Sequence, residues 1–277
     1  MYNKAIQPGQ LQGAYVALMT PFCFLTEKQE RSKGFVQKSV DYQKLDMLIE
    51  DLVKTGIGIV ACGTTAQSAT LSHGEQICLA NHIFDRVKGR VPFIVGAGSN
   101  NTEESIDMAL GISERIGPTT FLMATGYYNK PPQEGAVAHY KAIAKELEKS
   151  KSNLVLYNVP GRTVFDLKPE SVAELAKVPN IIGIKEATTD LSRFEYLVQN
   201  TDPSKFSVLS GEDSIVADVM RVGGRGVISA SANIAPKYFL GITKLAMHGF
   251  HDEAKKETKF ATSSKVPALP NGIESFV

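Results

Sequence analysis

From residue 14 onward, short β-branched or apolar runs alternate with longer stretches of helical period, and alternation of that kind builds parallel strands covered by helices. The runs are AYVALMT (14–20), GIGIVACG (56–63), VPFIVGAG (91–98), TTFLMAT (119–125), NLVLYNV (153–159), IIGIKEA (181–187), FSVLSG (206–211) and GVISASA (226–232). Eight strand-helix units predict a closed (β/α)8 TIM barrel of the α/β class rather than an open doubly wound sheet. A length of 277 residues suits one such barrel.

The helical stretches carry their own punctuation. In YQKLDMLIEDLVKTG, Leu45, Leu48, Leu52 and Val53 share one face and Gly56 suits a C-cap. Thr102, followed by Glu103 and Glu104, predicts an N-cap with acids in the first turn, and Pro169 suits the first turn of a later helix. The last unit ends near Gly249, which divides the chain into a barrel with an N-terminal extension (1–249) and a short helix and tail (250–277). SSKVPALPNG within that tail reads as loop. Residues 1–12 and 26–40 read as solvated extensions.

Composition excludes several classes of function. Thirty Lys and Arg against 29 Asp and Glu leave a net charge of +1, which offers no basic footprint for nucleic acid or an anionic membrane. No apolar run approaches the roughly 20 residues needed to cross a bilayer, and the N-terminus lacks a signal pattern. Cys23, Cys62 and Cys78 have no metal-type spacing and cannot all pair, which favours a reducing, cytoplasmic setting. The five histidines show no metal-ligand spacing, so no metal is expected.

In a parallel barrel the chemistry sits at the C-terminal strand ends. Within IIGIKEA, alternation places Ile182 and Ile184 toward the helices and Gly183 and Lys185 toward the barrel interior. A lysine held out of water can become an amine that attacks a ketone, as Schiff-base chemistry requires. A register off by one would instead make Lys185 an ordinary salt-bridged lysine. Tyr157 stands at the preceding strand end and Arg162 in the turn after it. Alone they read as a core aromatic and a surface charge; beside Lys185 they offer a proton shuttle and a bidentate carboxylate anchor. Thr64 and Thr65 follow the second strand, where hydroxyls and backbone N–H groups can hold a small carboxylate or simply form a turn. Tyr127 and Tyr128 read as an exposed or interface pair.

Taken in order, GTTAQSATLSH, TGYYNKPPQEG, YNVPGRT, IIGIKEAT, LSGED and GVISASAN closely resemble the dihydrodipicolinate synthase family of pyruvate-dependent class I aldolases, over about Gly13 to Gly249. The resemblance implies a lyase of lysine and diaminopimelate biosynthesis that joins pyruvate to L-aspartate 4-semialdehyde through a lysine Schiff base, with no cofactor, giving 4-hydroxy-tetrahydrodipicolinate. It implies Lys185 as nucleophile and Tyr157 as proton donor and acceptor. Thr64 and Tyr128 would complete a relay, the tyrosine reaching in from a neighbouring subunit of a homodimer or homotetramer. Thr65, Arg162, Gly211 and Ile228 match substrate-binding positions. Ser68, Ala69, His73, Asn100, Glu104 and Tyr127 match a cleft where relatives bind inhibitory lysine, with Gln76 where some carry a second histidine. The family pattern G-T-T-G-E-S is altered to Ala66 and Gln67, at a position where glycine's backbone freedom is expected to matter. The segment after the last predicted helix does not resemble the family's multi-helix extension.

Three other readings stay open on the sequence. One is a pyruvate lyase of the same barrel family acting on N-acetylneuraminate or a 2-keto-3-deoxy sugar acid, against which Thr64-Thr65 and Arg162 argue. Another is a catalytically impaired, lysine-binding barrel, and the third is a phosphate-binding barrel isomerase suggested by GGRGVIS.

Overall fold

The computed structural model describes residues 5–24 and 38–263. Its strands are β1 (Gly13–Ala17), β2 (Phe22–Phe24), β3 (Lys38–Val40), β4 (Gly58–Ala61), β5 (Phe93–Gly96), β6 (Thr120–Ala124), β7 (Asn153–Asn158), β8 (Ile181–Glu186), β9 (Ser207–Ser210) and β10 (Gly226–Ser229). All but β2 and β3 are parallel and close into one barrel in chain order, with β1 pairing both β4 and β10. The eight predicted runs are these eight strands.

Around them lie α1 (Tyr42–Thr55), α2 (His73–Val87), α3 (Thr102–Ile116), α4 (Gln133–Lys149), α5 (Pro160–Thr163), α6 (Pro169–Leu175), α7 (Leu191–Asn200), α8 (Val216–Arg221), α9 (Pro236–Met247) and α10 (His251–Ala261). Helix α1 buries Leu45, Leu48, Ile49, Leu52 and Val53 and ends on Gly56 at φ 85°, a left-handed cap that glycine adopts without strain. Pro169 opens α6. Helix α10 buries Ala254, Thr258 and Ala261 as it packs on α8 and α9. The N-cap of α3 is Asn101 and not Thr102: the Asn101 carboxamide accepts from the Glu103 and Glu104 amides. Thr102 is the first helical residue, and its hydroxyl meets His139 Nδ1 at 2.9 Å.

Two apolar layers hold the molecule together. One lies between strands and helices, and the other fills the barrel with Tyr15, Val60, Ile94, Leu122, Val155, Ile182, Leu209 and Ile228. Ile182 belongs to the interior, contrary to strict alternation. Leu154 pairs with Ile181 but Val155 pairs with Gly183, so β8 carries one extra residue there. A bulge turns Ile182 inward, after which alternation resumes with Ile184 outward and Lys185 inward. Gly183 has no room for a side chain, since a Cβ would lie 2.5 Å from the Ser207 carbonyl and 2.9 Å from Leu11.

The N-terminal segment is also not the solvated extension its composition suggests. Leu11 is fully buried in the interior layer and Ala5 is buried. Ile6 is tied through its N–H to Thr120 Oγ1 and through its carbonyl to Asn153 Nδ2, at the first residues of β6 and β7. Residues 5–12 thereby close the N-terminal mouth of the barrel. Of the other predicted extension, Lys38–Val40 is a strand paired antiparallel with β2, and 26–37 lie outside the described residues. The predicted loop SSKVPALPNG lies outside them beyond Ser263.

Candidate active site

Strand order and register bring the central pair together. Tyr157 on β7 and Lys185 on β8 are direct partners across the ladder, each one residue short of its strand's C-terminus, and both are buried. The Lys185 ammonium or amine lies over the Tyr157 ring, with Nζ 4.3 Å from the centroid. No carboxylate among the described residues forms an ion pair with Lys185, although such a group is costly to bury uncompensated. The lysine is therefore held against an aromatic face and a wall of apolar side chains rather than neutralised by an acid.

Gly211, just past β9, forms another wall. Its amide donates to the Glu186 carbonyl at 2.7 Å. A Cβ at Gly211 would fall 2.8 Å from Ala187 Cβ, 2.9 Å from Lys185 Cε and 3.0 Å from Lys185 Cγ, so the lysine stem occupies the space a side chain would need. Ile228 on β10 is fully buried in the same interior cluster as Tyr157.

Thr64 and Thr65 open a 3-10 turn after β4, where the first amides have no acceptor within the turn. Ala66 is buried in that turn without a positive φ; the left-handed residue is Gln67, at φ 55° and ψ 34°. The expected need for glycine at position 66 is thus absent from this chain, which places the unusual angle one residue later. Arg162 sits exposed on α5 and pairs with no carboxylate among the described residues. Thr64, Val159, Arg162 and Thr163 line a cleft of about 530 Å³.

The same cleft is also lined by Ser68, Ala69, His73, Gln76, Glu104 and Tyr127. Ser99 Oγ donates to Glu104 at 2.8 Å and receives the Tyr127 hydroxyl at 3.4 Å. Asn100 does not line the cleft; its amide ties the Tyr127 carbonyl to Asn129 from behind. Gln76 donates to the Leu71 carbonyl, which leaves its side-chain oxygen as the acceptor that remains.

Tyr128 is not brought to this centre. It is 90% exposed and held at φ 66°, a costly angle for a bulky residue. Within one chain Tyr128 therefore does not join the buried Tyr157, and its loop presents the phenol to the outside.

Sequence reading missed the polar cluster behind the lysine. Glu186 and Asn158, the next residues along β8 and β7, are paired in register and buried on the outer face of the barrel. Glu186 accepts from Asn158 Nδ2 at 2.9 Å and from Arg193 Nη2 at 3.2 Å. Burial pushes its carboxyl up to about 7, only partly offset by the Arg193 guanidinium and Asn158. The one available signal was an acid directly after Lys185 at the end of an otherwise apolar strand. Cys62 is buried, and burial pushes its thiol up to about 12.

Residues 12–263 match the model of the Dihydrodipicolinate synthetase family. A 4-hydroxy-tetrahydrodipicolinate synthase of Marinobacter nauticus is 38% identical over 247 residues, covering 89% of this chain and 79% of that protein. Among solved structures, the chloride-inhibited dihydrodipicolinate synthase from Acinetobacter baumannii complexed with pyruvate is 36% identical with a TM-score of 0.80, covering 93% of this chain and 86% of that one. The DHDPS from Cyanidioschyzon merolae with lysine bound is 31% identical with a TM-score of 0.81, covering 94% and 82%. No helix among the described residues is long and apolar enough to cross a membrane.

Proposed function

The chain belongs to the dihydrodipicolinate synthetase family, and from that premise we propose that it condenses pyruvate with L-aspartate 4-semialdehyde to give 4-hydroxy-tetrahydrodipicolinate, as a cytoplasmic lyase of lysine and diaminopimelate biosynthesis. The observation that carries this reading is the buried Lys185 at the C-terminal end of β8, its Nζ over the Tyr157 ring and in no ion pair with a carboxylate among the described residues. Lys185 adds to the C2 carbonyl of pyruvate and water leaves, forming the imine. Loss of a C3 proton gives the enamine, whose C3 attacks the aldehyde carbon of the second substrate. The amino group of that adduct then displaces Lys185 from C2, closing the ring and freeing the lysine. The protonated imine is itself the electron sink, so these bond changes call for no further cofactor.

Each remaining residue has a role that its position supports. Tyr157, against the amine, passes protons for imine formation and release. Thr64 at the cleft extends that path, and Tyr128 completes it from a second copy of the chain in a homodimer or a homotetramer built from dimers. Thr65 binds the pyruvate carboxylate through its backbone at the opening of the 3-10 turn. Arg162, a cation with no carboxylate partner among the described residues, holds the carboxylate of the aldehyde substrate. Gly211 and Ile228 shape the pocket around the lysine stem and the bound pyruvate.

The cleft binds lysine as a feedback inhibitor through Ser68, Ala69, His73, Glu104 and Tyr127, with Asn100 fixing the tyrosine loop. Initial rates titrated with lysine decline under this reading; a flat curve to millimolar lysine removes it. For the main reading, pyruvate followed by borohydride leaves a reduced adduct that peptide mass spectrometry locates on Lys185. No adduct on folded protein would sink the aldolase assignment.

A further inference from the structure

The acid behind the lysine invites an account that packing alone does not give. On β7 and β8 the other outward residues are apolar: Leu154, Leu156 and Ile184 all lie in the layer beneath the helices. Only at the C-terminal ends, one step beyond Tyr157 and Lys185, does that layer take up a fully buried carboxylate and a buried amide. A carboxylate in such a place costs stability that a leucine would not, and it persists only where its partners are well arranged.

The partners are distributed in a particular way. Asn158 Nδ2 donates to Glu186 and to Asp166 Oδ1, each at 2.9 Å, while its Oδ1 receives the Leu167 amide at 3.0 Å. Arg193, from α7, donates to Glu186, to Asp166 at 3.0 Å and to the Leu167 carbonyl at 2.8 Å. Asp166 and Leu167 end the short segment that begins with α5 and carries Arg162. One buried carboxylate thus fastens together the strand of Tyr157, the strand of Lys185 and the segment of Arg162.

We propose that Glu186, Asn158, Arg193 and Asp166 form a positioning clamp that sets the Lys185–Tyr157 pair and the Arg162 segment in a single geometry. None of the four touches substrate; they act through the residues beside them. Asn158 uses both its amide nitrogen and its oxygen in the clamp and the Arg193 terminal nitrogens make three contacts, so displacing one member shifts the groups it holds. The inference rests on Lys185 being the Schiff-base nucleophile.

Glu186→Gln tests it with little change of volume. A carboxamide at 186 keeps one acceptor oxygen for two donors, so its NH2 must face either Asn158 Nδ2 or Arg193 Nη2; Asn158 cannot flip without abandoning the Leu167 amide and Asp166, and a guanidinium has no acceptor to offer. We expect the rate of borohydride-trapped pyruvate adduct on Lys185 to fall by about 10- to 100-fold while circular dichroism stays native, given that misplacement near 1 Å costs about that much. Should Glu186→Gln fail to fold, Arg193→Lys at the edge of the cluster keeps the charge but loses the fork that holds Leu167 and Asp166. It is expected to raise KM for the aldehyde substrate several-fold while sparing adduct formation. Folded variants that form adduct at the wild-type rate with unchanged KM values overturn the clamp. Wild-type protein assayed in parallel separates the two layers: if it forms no adduct, the nucleophile assignment falls and the clamp with it.

Discussion

Replacing Gly211 with alanine should disable Lys185 without touching it chemically. Gly211 does not have a positive φ, so alanine meets no backbone penalty there, and any effect arises from the added methyl group. That carbon would lie 2.8 Å from Ala187 Cβ and 2.9 Å from Lys185 Cε, where carbon pairs are comfortable at about 3.5 to 4.0 Å. Two of the three bodies cannot retreat: the Gly211 amide is bonded to the Glu186 carbonyl, and the Ala187 amide to the Asn158 carbonyl at 2.9 Å. The lysine stem must yield, by roughly 0.5 to 1 Å. Overpacking of this kind costs about 1–3 kcal/mol, which lowers Tm by about 2–4 °C per kcal/mol in a chain of this size. Displacement of the amine lowers the rate of adduct formation by up to about 100-fold. Rapid mixing with pyruvate and borohydride quenching, read by mass spectrometry, measures that rate beside a thermal melt. A variant with the lowered Tm but the wild-type adduct rate would refute the reasoning, because it would show that the lysine is not confined by this contact.

Other outcomes follow from the same geometry. Arg162→Lys should raise KM for the aldehyde substrate at least tenfold and leave pyruvate trapping intact, since an ammonium cannot replace the planar fork; loss of trapping as well would place Arg162 elsewhere in the reaction. Tyr128→Phe and Lys185→Ala, each inactive alone, should regain activity when mixed and allowed to exchange subunits, because the hybrid holds one site with its own lysine and the neighbour's tyrosine; no recovery between exchanging chains argues that Tyr128 serves its own barrel. Glu186 is surrounded by Asn158 from β7, Asp166 from the segment after α5 and Arg193 from α7, and its folded carboxyl is raised to about 7. The fold thus binds its proton more tightly than the unfolded chain, so its contribution to stability is greatest below the ordinary carboxylate range and is lost as pH rises through about 7, by on the order of 3 kcal/mol. Urea midpoints at pH 5 and pH 8 should differ less in Glu186→Gln than in wild type; an equal difference removes Glu186 as the source. Leu11→Ala should cost about 2–5 kcal/mol by opening a cavity at the closed mouth, and a cost below 1 kcal/mol would restore the view of residues 5–12 as a solvated extension.

The strand runs, the helix periodicity and the Gly56 cap were legible in the sequence because each depends on neighbours a few residues away: pleat alternation, a 3.6-residue period, a left-handed angle. From that count of units the barrel followed, and the strand-end rule then singled out Lys185, whereas Tyr157 and Arg162 read alone as a core aromatic and a surface charge and gained a role only from their place beside it. What the chain order could not convey was which side chain meets which across the ladder. Ile182 turns inward because of a bulge that exists only once β7 and β8 are paired. Leu11 is a plug because β6 and β7 happen to offer Thr120 and Asn153 at the barrel mouth, far away in sequence. Glu186 looks like any strand-end acid until α7 brings Arg193 against it and the packed helices remove water. Local sequence sets backbone preference over a few residues, whereas burial, register and the desolvation of charge are properties of distant groups brought together, and those were decided by the closed barrel.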